Sequence, residues 1–172
     1  MKPFLKYGLL AGLFSVVWTL IMYVSELDKG PTAKPLGWIS VLASLVFIFL
    51  AVRDTKKEAG NFISFGSAFK AGILTMLVSG IIGITYFYIH AKYLDPSLID
   101  HIVETTRSEM SQQQNMTEEQ MEQAWKYTVI FLTPGALAFM GLIMHLIAGT
   151  IGALLVAAIL KKEPPLFNDV SE

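Results

Sequence analysis

Four stretches of the chain contain no Asp, Glu, Lys or Arg: Tyr7 to Val24, Leu36 to Val52, Ala71 to Ile89 and Val129 to Leu160. A helix crossing the hydrocarbon core of a bilayer takes about 20 apolar residues, within a range of roughly 17 to 25, so each stretch is long enough. Helices are required because a spanning segment finds no water for its backbone donors and acceptors and must pair them internally. The pattern predicts an all-α, polytopic membrane protein with spans at about 7–24, 36–52, 71–89 and 134–160. The first stretch reads as a retained helix. Its apolar part exceeds the roughly 7 to 15 residues of a secretory leader, and no small-x-small cleavage site follows in MYVSELDKG.

Between the third and fourth spans the pattern becomes amphipathic. The third span should stop at YLDP, because the residue before Pro96 is pushed out of the helical region. Ser97 with Asp100 then reads as an N-cap pair, followed by Leu98, Ile99, Ile102, Val103 and Met110 at helical spacing. SQQQN is a solvated break. Thr117 with Gln120 forms a capping box, flanked by Met116 and Met121 at the staple positions. The helix starting there is expected to run on to Leu160. Its length would be about 65 Å at 1.5 Å per residue, against a core of roughly 30 Å, so its first part must project from the membrane. A kink is expected at Pro134, whose ring deletes a ladder bond and clashes with the carbonyl of Ile130. The prediction is an extramembrane helical hairpin over about 97–133, packed through Ile99, Ile102, Val103, Met121 and Trp125.

Composition agrees with a bilayer as solvent. Hydrophobic residues make up 53% of the chain and charged residues 16%, where a soluble domain carries about a quarter charged. Basic residues set the expected orientation. With the amino terminus cytoplasmic, that side collects Lys2, Lys6, Arg53, Lys56, Lys57, Lys70, Lys161 and Lys162, and the other side Lys29, Lys34, Lys92, Arg107 and Lys126. Both termini are therefore expected in the cytoplasm, with 25–35 and 90–128 outside. KYGLL at Lys6 returns as KAGIL at Lys70, and the same offset brings Gly8 onto Gly72, Ser15 onto Ser79 and Tyr23 onto Phe87. This reads as two parallel hairpins related by an axis along the membrane normal. Topology alone also demands lysines at inner helix ends, so chance similarity stays open beside duplication.

Lipid offers helices no hydrophobic reason to associate, so small residues should hold the spans together. The candidates are Gly8, Gly12, Ser79, Gly83, Gly141, Gly149 and Gly152, expected to serve packing within the chain, with a homodimer as a further use. His145 is the ionisable group inside a span and so the default candidate site. At 1.5 Å per residue it lies about 22 Å from the cytoplasmic boundary. Thr19, Ser40, Thr85 and Tyr86 fall near that depth and would complete a polar layer. Two roles remain for it: an imidazole tying helices together, or a proton relay or ligand site. No catalytic residue is expected. Cysteine is absent, which removes disulfide and thiol chemistry, and His90, His101 and His145 lack the helical spacing of metal ligands. No cofactor, metal or nucleic-acid partner is expected. Asn115 matches a glycosylation acceptor but carries no weight. Lys70 and the basic residues from Arg53 onward either snorkel or meet anionic headgroups weakly.

ISFGSAFKAG at the entry to the third span, YLDP at its exit, TPG leading into the fourth and KK close after it resemble the bacterial membrane family catalogued as domain of unknown function 4199. The resemblance covers nearly the whole chain and implies a four-helix inner-membrane protein, mainly from Bacteroidota, with no established activity. The expected function is non-catalytic: an inner-membrane protein acting through protein–protein interaction, as an accessory subunit with the lipid bilayer and a membrane protein as partners. The alternative is a small transporter or channel with a polar layer around His145.

Overall fold

The computed structural model describes residues 1–27, 33–112 and 117–164, with the backbone alone at 33 and 34. The expectations for Lys29, for the side chain of Lys34, for the polar break over 113–115 with Asn115, and for Met116 lie outside the described residues. Six α-helices occur among the described residues: α1 (Pro3–Val24), α2 (Ala33–Glu58), α3 (Phe65–Ile89), α4 (Ser97–Ser111), α5 (Glu118–Thr128) and α6 (Pro134–Leu160). A π-helical turn, His90–Leu94, follows α3, and a 3₁₀ turn, Val129–Phe131, follows α5. The stretches Pro3–Val24, Pro35–Glu58, Phe65–Leu94 and Pro134–Leu160 are long and apolar enough to cross a membrane. They also expose large apolar side chains, among them Val24 at 77% and Ile159 at 74%. This is a membrane protein.

The residues fall into two compact units, one made of Met1–Ile82 with Met144–Glu172 and the other of Gly83–Ile143. In the first, every long helix touches at least two others. α1 meets α2 through Phe14 and Phe47, whose ring centroids are 6.1 Å apart, and through Tyr7, whose hydroxyl donates to Asp54 Oδ2 at 2.6 Å. These contacts climb α1 as they descend α2. α1 lies against α3 where Gly8 faces Val78 and Gly12 faces Ile82. α3 lies against α6 where Gly72 faces Ala153 and Gly149 faces Met76, and Gly152 of α6 faces Leu45 and Ile48 of α2. The core cluster sits on these seams: Ile48, Val52, Ile63, Ala68, Ala71, Met76, Ala153, Val156 and Ala157.

Close approach is what the glycines supply. A Cβ built on Gly72 would stand 2.7 Å from Ala153 Cβ, and one on Gly8 would stand 2.6 Å from Val78 Cβ, closer than carbon atoms pack. Gly83 and Gly141, expected in the same role, do not share it: a Cβ on either meets nothing within 4 Å. Glycine frequency in a span therefore overstates the packing seam, which is set by what lies opposite.

The helix ends are built from local chemistry. α2 ends in a Schellman motif, with Asn61 N–H donating to Lys56 O at 2.9 Å and Gly60 N–H to Lys57 O at 3.2 Å. Gly60 there takes φ +71. α1 ends the same way through Leu27 to Met22 and Glu26 to Tyr23, but its left-handed residue is Glu26 at φ +54. Beyond α2, Ile63 and Lys162 exchange two backbone bonds of 2.8 and 2.9 Å, tying the α2–α3 connection to the segment after α6. Lys56 Nζ donates to Leu160 O at 2.9 Å and caps α6.

In the second unit the α-helical part of α3 ends at Ile89 and the π turn carries the chain to Asp95, extended at φ −134 as the following proline requires. Ser97 is not an N-cap: α4 starts on it, with Pro96 as the cap residue, and its hydroxyl donates to Asp95. Leu98, Ile99, Ile102, Val103 and Met110 form the half-buried stripe of α4, and Arg107 lies 5.4 Å over the ring of Trp125 in α5. The capping box at Thr117 and Gln120 forms with both reciprocal bonds.

The uninterrupted helix expected over 118–160 does not occur. α5 ends at Thr128, and α6 begins afresh with Thr133 as its cap, the Thr133 hydroxyl accepting from Ala136 N–H at 3.3 Å. Pro134 occupies the first helical position, where its missing N–H has no ladder partner to lose and its fixed φ favours the start. It opens a helix; it does not kink one.

Gly72→Leu should lower stability in mild detergent by about 1–3 kcal/mol through overpacking against Ala153, while Gly83→Ala should leave the melting temperature unchanged, both read by circular dichroism. Glu26→Gly should raise stability by about 1 kcal/mol, since a left-handed conformation costs an L residue roughly that much.

Candidate functional site

His145 stands on α6 between Gly141 and Gly149, and its Nε2 lies 2.9 Å from Ser79 Oγ on α3. Ser79 is buried, and its hydroxyl also lies 3.2 Å from the carbonyl of Met76. The hydroxyl carries one proton and has two acceptors in reach, so the imidazole tautomer decides whether Ser79 Oγ accepts from Nε2 or donates to it. Thr75, one turn earlier and fully buried, donates its hydroxyl to Ala71 O at 2.8 Å. The pair thus sits inside the α3–α6 seam, where Met76 against Gly149 brings the two backbones together.

Ser79, expected only as a packing residue, is the side chain that His145 meets. Thr19 is exposed and donates to Ser15 O at 2.9 Å within its own helix. Ser40 is half-buried, and its carbonyl accepts the Ser44 hydroxyl at 2.8 Å. Thr85 and Tyr86 belong to the second unit, where the Tyr86 hydroxyl lies 3.0 Å from His90 Nδ1. His90 and Asp95 are both buried at the two ends of the π turn, and Asp95 N–H closes that turn on His90 O at 2.8 Å. Tyr86, expected beside His145, instead pairs with His90, and that pairing is legible in the sequence because four residues make one helical turn. Tyr7 with Asp54, 47 positions apart, is not.

Chemically, a half-buried Ser–His contact can clamp two helices or pass a proton. No group of three or more metal-ligating side chains occurs among the described residues.

Comparison with sequence families decides one question. Residues 6–162 match the family described as protein of unknown function (DUF4199). The chain belongs to that family. The match begins at Lys6, beside the tyrosine that bonds Asp54, and ends at Lys162, the residue that closes the bridge to Ile63. No curated protein and no solved structure matches the chain.

A double-mutant cycle of Ser79→Ala and His145→Leu, read as thermal stability in detergent, should return a coupling of about 0.6 kcal/mol and no more than about 1.7, the range of hydrogen bonds between membrane helices.

Proposed function

We propose that the protein is a non-catalytic integral protein of the bacterial inner membrane that works as an accessory subunit, contacting another membrane protein through α4 and α5. In this reading α1–α2 and α3–α6 are two hairpins inserted in the same sense. Both termini lie in the cytoplasm, and 25–35 and 90–128 lie on the outer face.

The observation that carries the reading is the charge on α4 and α5. They expose six carboxylates, Asp100, Glu104, Glu109, Glu118, Glu119 and Glu122, against two cations, Arg107 and Lys126. In the first unit, by contrast, Tyr7, Lys56, Thr75 and Ser79 turn their polar atoms back onto the chain itself. An acidic surface on two folded helices suits a partner with a basic face, since complementary charge sets encounter rate and orientation. A transporter or channel around His145 is the second reading, favoured by the Ser79–His145 contact. It is placed behind the first because Met76 on Gly149 and Ala153 on Gly72 fill the α3–α6 seam that a solvated path between those helices would need.

The test is purification of the full chain in mild detergent at native expression level. A second membrane protein should co-elute and be lost with Glu104→Lys plus Glu109→Lys, and tags at both ends should report the cytoplasm. A chain that elutes alone removes the accessory role. Flux into proteoliposomes that disappears in His145→Ala establishes the second reading in its place.

A further inference from the structure

At one end of the first unit α1 and α3 begin and α2 and α6 finish. The contacts of Tyr7 with Asp54, Lys56 with Leu160 and Ile63 with Lys162 fix that convergence. The same end collects Lys2, Lys6, Arg53, Lys56, Lys57, Lys70, Lys161 and Lys162, against Asp54, Glu58 and Glu163. Some of these cations already have work. Lys56 is half-buried on the Leu160 carbonyl, while Arg53 and Lys57 lie 3.3 and 4.0 Å from the one carboxylate of Asp54. Lys2, Lys6, Lys70, Lys161 and Lys162 are all exposed.

Two of the five are held without being neutralised. Lys6 Nζ lies 4.9 Å from the Tyr7 ring centroid and Lys162 Nζ lies 5.4 Å from that of Phe62. A cation–π contact orients an ammonium group but uses none of its hydrogen-bond donors. Lys162 is held further by its backbone bridge to Ile63, which sets it beside the start of α3, the helix that carries Lys70. Ser67, exposed at that start, accepts from the Ser64 hydroxyl at 3.1 Å and adds its own hydroxyl as a donor. A lysine that only snorkels needs water and nothing else. Five of them gathered on one helical end repel one another, and two carboxylates, Glu58 and Glu163, do not balance them. Clusters of four to eight basic residues directly beyond a span are the mark of anionic lipid recognition.

We infer that this end of the first unit binds the anionic headgroups of the leaflet it meets, with Lys70, Lys161 and Lys162 as the headgroup contacts. The site recognises the phosphate-borne charge of the lipid surface. It is independent of the partner proposed for α4 and α5.

The experiment uses the full chain in mild detergent with phosphatidylglycerol and phosphatidylcholine as probes, counting bound lipid by native mass spectrometry and following the melting temperature. The wild type should retain phosphatidylglycerol in preference to phosphatidylcholine and be stabilised by it. Lys70→Gln, Lys161→Gln and Lys162→Gln should each weaken retention about fivefold, and the triple variant on the order of a hundredfold. Lys126→Gln should change nothing. Raising salt should release the lipid, since the screening length falls from about 10 Å at 0.1 M to about 3 Å at 1 M. Helical circular dichroism reports whether the triple variant is folded. Should it fail to fold, the single variants and the salt series carry the test. Equal retention of the two lipids by the wild type, or unchanged retention in the folded variants, overturns the inference.

Discussion

Apolar side chains that point away from the protein set the terms for the rest of the structure. Leu13, Leu155, Ile159 and Val24 are more than half exposed, and in oil that exposure carries no penalty. The same oil removes the usual reason for helices to associate, because leaving lipid gains an apolar side chain nothing. What remains is contact at short range. The first unit answers with glycines placed where another helix arrives: Gly8 and Gly12 under α3, Gly72 under α6, Gly149 under Met76 and Gly152 under α2. Dispersion between closely apposed backbones then does what hydrophobic burial does in water.

Polar groups obey the same solvent. Thr19, Ser44, Thr55, Thr75 and Thr150 each donate their hydroxyl to the carbonyl four residues back, the local solution for a hydroxyl that has no water nearby. Groups that reach further join elements of one unit. Tyr7 and Asp54 link α1 to α2, Ser79 and His145 link α3 to α6, and Lys56 closes the end of α6. These bonds are few, and with the exception of Ser79–His145 they gather toward one end of the first unit, where charged residues are also found.

Much of the fold was legible because the bilayer imposes it. The charge-free runs located all four long helices, and α6 starts at the expected residue, while α2 runs past its expected end at 52 to Glu58. Charged residues end a membrane span without ending a helix: Lys56 and Lys57 in the last turn suit the negative end of the helix dipole. Thr133–Pro134 departs from expectation for a physical reason: a proline within a charge-free run reads as a breaker inside a helix, but a threonine before it is the ordinary signature of a new start. The site was less legible. Depth along a span grouped Thr19, Ser40, Thr85 and Tyr86 with His145, but depth says nothing of azimuth, and the side chain at bonding distance proved to be Ser79. Gly83 and Gly141 failed as packing residues for the same reason: one-dimensional spacing names a face and leaves the neighbour unnamed.

The bridge between Ile63 and Lys162 has a consequence for biosynthesis. Chains grow from the amino terminus, so α6 is the last of the six helices to leave the ribosome. Until it arrives, Gly72 lacks Ala153, Met76 lacks Gly149, and Ile48 lacks Gly152, and lipid must occupy those grooves. Assembly of this unit is therefore completed post-insertion, when the final span displaces lipid from two waiting helices and latches onto the turn made about a hundred residues earlier.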